Sequence, residues 1–180
     1  TDGYISKFSQ NIPLISESNA LINGFEFNSY RELVDGMIGS FNFYSKSINS
    51  ITGDDVRISE RLYMPTRKLR GFERGKIGPV DNQDYVGGNY VSALNFSATL
   101  PKTIPSIQNA DLSIFLDAGN VWGVDYSSAI DESNKLRSSI GLAVDWYTVI
   151  GPLSFSYAGT LTKASTDKVE NFRFNIGTTF

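Results

Sequence analysis

Apolar side chains recur at every second position through most of this chain's C-terminal half, a period that fits strands and not amphipathic helices. From Val169 to Phe180 the even positions include Phe172, Phe174, Ile176, Thr178 and Phe180, against Asn171, Arg173, Asn175, Gly177 and Thr179. Leu153, Phe155, Tyr157 and Leu161 share one parity against Ser154, Ser156, Ala158 and Thr160. Leu136, Ile140, Leu142, Val144 and Trp146 oppose Arg137, Ser139, Gly141, Ala143 and Asp145. Leu112, Ile114, Leu116, Ala118 and Trp122 oppose Asp111, Ser113, Asp117 and Gly119, and Phe115 breaks that pattern. Tyr90, Leu94, Phe96, Ala98 and Leu100 oppose Asn89, Ala93, Asn95, Ser97 and Thr99. The N-terminal third is noisier, with Tyr4, Phe8, Ile12 and Leu14, then Leu21, Phe25 and Phe27, then Met37, Phe41 and Phe43. The reading is all-β: eight strands near 4–14, 20–32, 37–48, 89–100, 110–122, 136–148, 152–162 and 169–180, in one domain spanning 1–180.

Strands of roughly 10–13 residues exceed the usual length and suit a tilted membrane crossing. The parity opposite the apolar one is rich in Ser, Ala, Gly, Thr and Asn and too weakly charged for a typical water-facing surface. A soluble sandwich or lipocalin-like barrel would need a more polar exterior than that. The connections near 33–36, 101–109 and 149–152 are mostly short, and those near 16–19, 50–86, 123–134 and 163–168 are mostly longer. Their alternation is the layout of an antiparallel transmembrane β-barrel of the outer membrane. It places residues 50–86 outside the cell and the C-terminus in the periplasm. Tyr90, Trp122, Trp146, Tyr157 and Phe180 fall near strand ends or on the apolar face, where an aromatic girdle sits.

Composition removes several classes of chemistry. There is no Cys and no His, which excludes thiolate sites and the commonest general base and metal ligand. We expect no catalytic residue, no metal and no cofactor. Asp54-Asp55 and Asp131-Glu132 lie in connections and read as solvated charges. With a net charge of -3 and no basic stripe, nucleic acid is not an expected partner. No apolar run is long enough for a membrane helix. The chain begins at Thr1 without a signal-peptide pattern, as a mature form or a fragment does. The basic loop residues Arg67, Lys68, Arg70, Arg74 and Lys76 are read either as solvated or as a site for lipopolysaccharide phosphate.

The long connection 50–86 carries Leu69-Arg70-Gly71-Phe72 and Ile77-Gly78-Pro79, and Gly87-Gly88-Asn89 follows it. Together with Phe115-Leu116-Asp117-Ala118-Gly119-Asn120-Val121-Trp122, Gly151-Pro152-Leu153-Ser154-Phe155-Ser156-Tyr157 and the ending Phe172 to Phe180, these pieces resemble the BamA family of outer-membrane assembly barrels. The resemblance covers about 56–180 strongly and extends weakly to Thr1-Asp2-Gly3. It implies the last eight strands of a sixteen-stranded barrel, a bacterial surface antigen domain in the outer membrane of a Gram-negative bacterium. It implies folding and insertion of other outer-membrane proteins by strand-edge templating and membrane thinning. The implied partners are outer-membrane lipids and unfolded outer-membrane protein clients. The family's periplasmic domains and assembly lipoproteins are absent from this chain.

The resemblance also assigns residues. Arg70 is the loop arginine, Gly71 lets the backbone approach the wall, and Leu69 and Phe72 complete the motif. Asp117, at inward parity, is the lumen partner of Arg70. The family's second acidic position is Ser97 here, which leaves one carboxylate. Phe172, Phe174, Ile176, Gly177 and Phe180 form the C-terminal targeting strand. Two closures stay open. Eight strands closed on themselves leave room only for side chains, so the loop would lie outside a small structural barrel without assembly activity. Half of a wider barrel admits the loop. A secretion pore of the same superfamily is a third reading.

Overall fold

The computed structural model describes residues 2–13, 19–34, 36–101, 109–149 and 151–176. In chain order the strands are β1 (Gly3–Asn11), β2 (Ala20–Val34), β3 (Met37–Ser50), β4 (Gly71–Phe72), β5 (Val80–Asp81), β6 (Asp84–Tyr85), β7 (Tyr90–Pro101), β8 (Ala110–Trp122), β9 (Arg137–Thr148), β10 (Gly151–Thr162), β11 (Val169–Glu170) and β12 (Phe172–Ile176). Eight of them form one sheet in the order β1-β2-β3-β7-β8-β9-β10-β12. Every neighbouring pair is antiparallel, as short connections between sequential strands require. Among the described residues β1 pairs with β2 alone and β12 with β10 alone, so the sheet is open between its first and last strands.

Burial is inverted relative to a water-soluble β protein. On β8, Ile114 is 57% exposed, whereas its neighbours Ser113 and Phe115 are 7% and 1% exposed. The same alternation leaves Phe96, Leu142, Tyr157, Phe172 and Ile176 exposed and buries Ala93, Asp117, Ser139, Ala143, Ser156 and Arg173. Registered pairs join the exposed side chains into one apolar face from Phe41↔Phe96 through Leu116↔Ile140 to Phe155↔Phe174. A contiguous apolar surface of this extent marks a contact with membrane or protein, and in a sheet of long strands it fits a hydrocarbon layer.

The other face carries the connection from Ile51 to Asn89. Val56, Leu62, Met64, Leu69, Phe72 and Ile77 from that connection pack on Ile48, Val91, Ala93 and Val121 of the wall. Each large side chain so buried contributes about 1.5–3 kcal/mol. The long connection is thus folded, with a 3-10 turn at Ile58–Glu60 and the short strands β4, β5 and β6. It lies on the sheet's inner face, where a small closed barrel would have no room for it.

While β2 and β3 each run two residues further than expected, two strands depart most from the sequence reading. The first ends at Asn11, so Ile12 lies beyond it, and Leu14 falls outside the described residues. The last is divided: Val169–Glu170 pairs with Gly71–Phe72 of the long connection, and only from Phe172 does the chain join β10. The reason is local, because the connection offers β4 as an alternative partner just above the sheet. β1 is exposed along its whole length on both faces.

Candidate functional site

The motif Leu69–Phe72 leaves a turn closed by Lys68 N donating to Pro65 O at 2.9 Å and runs directly against the wall. Gly71 has φ +88°, a conformation that a side chain strains. A Cβ there would also lie 3.1 Å from Ser139 Cβ and 3.2 Å from Ala158 Cβ. This close approach lets Ser139 Oγ donate to Arg70 O at 2.5 Å. The next side chain, Phe72, is 2% exposed.

Arg70 forms a fork with Asp117 of β8. Its Nε donates to Asp117 Oδ2 and its Nη2 to Oδ1, both at 2.8 Å, and the Arg70 backbone N donates to Oδ2 at 3.1 Å. Bidentate, charge-assisted pairs of this type are strong and geometrically specific. Asn95 Nδ2 adds a donor to Asp117 Oδ1 at 2.9 Å and also donates to Lys68 O at 2.8 Å. The guanidinium lies 3.4 Å from the centroid of Phe115, a cation–π contact. The Asp117 side chain is fully buried, while that of Arg70 keeps 21% exposure. Ser97, where the resemblance puts a second acidic position, is outside this cluster, with its Oγ 2.6 Å from Ser40 Oγ.

Two further tethers flank the fork. Lys68 Nζ reaches Glu26 Oε1 of β2 at 2.5 Å and Asn42 Oδ1 of β3 at 2.8 Å. From the opposite edge of the sheet, Arg173 of β12 donates to Thr66 O at 2.6 Å and Phe72 O at 2.5 Å, and its Nε donates to Glu170 Oε2 at 2.8 Å. The stretch Thr66–Phe72 therefore touches β2, β3, β7, β8, β9 and β12. Of the basic loop residues, Lys68 and Arg70 are engaged inside, which fits neither a solvated pair nor a free phosphate-binding surface at these two positions.

A second cluster ties the connections together at the loop end. Arg137 Nε and Nη2 fork onto Asp167 at 2.8–3.0 Å, Nη1 donates to Asn120 Oδ1 at 2.5 Å, and Nη2 also meets Glu132. Asp167 in turn accepts from Ala164 N at 2.5 Å. Asp131 and Glu132 were expected as solvated charges. Instead Asp131 Oδ1 accepts from Gly123 N at 2.9 Å, and Glu132 is held by Arg137. Tyr85 donates to Thr166 O and Tyr126 to Asp81 Oδ2. Desolvation, followed by the Asp81 acceptor, pushes the Tyr126 phenol above its ordinary value.

Sequence reading missed Phe115, Asn95, Ser139, Lys68–Glu26, Arg173 and the Arg137 cluster. Phe115 did leave a signal, an aromatic at inward parity. Of the targeting-strand residues, Phe172, Phe174 and Ile176 are exposed on the apolar face. Gly177 and Phe180 lie outside the described residues.

The Omp85 superfamily domain matches residues 1–180. Outer membrane protein assembly factor BamA of Neisseria meningitidis serogroup B is 37% identical over 141 residues, covering 62% of this chain and 17% of that protein. Outer membrane protein assembly factor BamA of Neorickettsia risticii is 28% identical over 137 residues, covering 74% of this chain and 18% of that protein. The crystal structure of BamA from Haemophilus ducreyi lacking POTRA domains 1-3 superposes with a TM-score of 0.85 at 26% identity, covering 96% of this chain and 38% of that one. This chain thus spans less than a fifth of the length of those two curated relatives.

Proposed function

The chain belongs to the Omp85 superfamily, and we propose that it forms one half of an outer-membrane β-barrel whose parent protein folds and inserts other outer-membrane proteins. The observation that carries this reading is the long connection seated on the inner face of an open sheet and held there by the Arg70–Asp117 fork. A barrel of eight self-closed strands has an interior just wide enough for side chains, so the seated connection favours a wider barrel. In this reading the long connections face outside, the Gly36 and Gly151 turns face the periplasm, and Phe172, Phe174 and Ile176 contact lipid.

The mechanism uses binding geometry and no covalent chemistry. A free strand edge offers backbone donors and acceptors to an incoming strand, which adds by β-augmentation. In this reading the hydrocarbon layer beside the free edge is thinned, so a client crosses it more easily. The Arg70 fork, Lys68 and Arg173 keep the loop as an internal strut that prevents collapse of the open sheet. Clients and accessory lipoproteins are the corresponding partners.

The test is insertion of an unfolded second β-barrel into proteoliposomes carrying the protein, against empty liposomes. Acceleration supports the assembly role. Conductance across planar bilayers without acceleration would replace it with a pore. A Lys7→Cys, Asn175→Cys pair reads closure separately, because both positions have inward parity on the two edge strands. Efficient crosslinking within one chain would establish self-closure and remove the edge from clients.

A further inference from the structure

The outward positions of the eight strands are apolar, small or uncharged polar with one exception among the described residues, Arg31 on β2. No ion pair or hydrogen bond to a described residue engages it, and it is exposed. The carboxylate across from it, Asp2, is turned to the Glu32 amide, which donates to Oδ1 at 2.9 Å. A lone arginine on the lipid face of a barrel is destabilising by about 2–4 kcal/mol at the membrane midplane and by far less near the interface. Arg31 lies three residues from the end of β2 at Val34, about 10 Å along the strand. From there its side chain reaches headgroup level.

The surface beside it is notched. The row running across the sheet from Arg31 is Arg31↔Gly39↔Ala98↔Ile114, and the next row is Ser29↔Phe41↔Phe96↔Leu116. Gly39 and Ala98 form a floor that Phe41, Phe96 and Ile114 wall in. Leu33 leans over it, since a Cβ on Gly39 would meet Leu33 Cδ1 at 2.8 Å. The groove is shallow and open, offers about 420 Å³ and has Arg31 at its edge.

We propose that this groove holds one acyl chain of an anionic phospholipid whose phosphate sits on Arg31. The shape selects a chain, and the guanidinium, which no described residue engages, selects an anionic headgroup through a charge-assisted, bidentate contact. The choice of phospholipid over lipid A rests on the orientation proposed above, which puts Arg31 in the periplasmic leaflet.

Native mass spectrometry of the folded protein, released from micelles with phosphatidylglycerol, phosphatidylcholine or lipid A, tests this. Phosphatidylglycerol is expected to be retained about fivefold over phosphatidylcholine, the scale of one basic residue at a lipid surface. Arg31→Gln should erase that preference, and Ala98→Leu should lower retention of both lipids by filling the floor. Lys46→Gln, a cation at inward parity, should leave retention unchanged. Both test positions face away from the Arg70 fork, and retained protease resistance of residues 50–86 reports that each variant is folded. Equal retention of the two phospholipids by the unaltered protein, or an Arg31→Gln variant with its preference intact, would overturn the site. Preference for lipid A would overturn the phospholipid assignment and trace the error to the orientation.

Discussion

Two arginine–carboxylate forks hold this structure together, and they differ in how completely they leave water. Arg137 and Asp167 are both fully buried, and Glu132 and Asn120 take the remaining donors of the guanidinium. Arg70 keeps 21% of its side chain exposed above a single buried carboxylate. The first fork staples connections to one another at the loop end, and the second latches a loop to the strand wall. A guanidinium with no route to water cannot be re-solvated when its partner is lost, whereas a partly exposed one can. The same chemistry therefore gives a permanent staple in one place and a latch that opens at lower cost in the other.

The largest expected effect comes from breaking the staple. Asp167→Ala leaves Arg137 with Glu132 and the Asn120 amide and strips the acceptor from Ala164 N. Stability should fall by about 3–5 kcal/mol, the range for removing one partner of a buried pair. Denaturant unfolding in micelles measures it, and hydrogen exchange should rise in residues 123–136 and 163–168. Asp117→Asn should destabilise less, by about 1–3 kcal/mol, the desolvation range for a buried group left without its partner. Its effect should concentrate in protease susceptibility of residues 62–86. If Asp117→Asn destabilises the molecule more than Asp167→Ala, exposure is not what separates the two forks.

The unequal legibility of these regions has a physical basis. Pleating assigns each side chain a face by its position alone, so the period of two exposed the strands without any knowledge of their partners. A one-residue slip would put every apolar side chain on the wrong face, so parity constrains register, but the pairing of particular residues was not read from the sequence. Arg70 and Asp117 are 47 residues apart, and no local rule links them; their pairing came from the family motif. Arg137 had the correct inward parity, but its partners lie in connections, where carboxylates are usually solvated. Phe115 looked like noise in an alternating strand and is the platform beneath the latch arginine. The division of the last strand was hidden because β11 and β12 share one continuous pattern while pairing with different elements.

That platform gives a sharper test of the latch. Phe115→Leu keeps the apolar volume and removes the ring 3.4 Å from Arg70. A loss of about 0.5–2 kcal/mol is expected, the span from exposed to desolvated cation–π contacts. In the Asp117→Asn background the loss should shrink, because the arginine is no longer held over the ring. A double-mutant cycle on unfolding free energies reads that coupling. Additive losses would mean that ring and carboxylate act on Arg70 independently.

The smallest effect separates the two regions by pH. The Tyr126 phenol is pushed above its ordinary value, first by desolvation and then by its hydrogen bond to Asp81. A raised phenol value means that the folded state holds the proton more tightly. Its contribution is then fully present below the ordinary value of about 10 and is lost as pH rises through the raised one. Hydrogen exchange at residues 80–86 should therefore increase with pH in that window beyond the intrinsic rise, and Tyr126→Phe should reduce the excess, the rest belonging to Tyr85, whose phenol is also pushed up by desolvation. Tyr126 is largely exposed, so the change should be slight and confined to the loop end. Protease protection around Arg70 should stay constant over the same range, because the fork contains no phenol. A parallel loss of protection around Arg70 would mean that the outer contacts and the latch open as one unit.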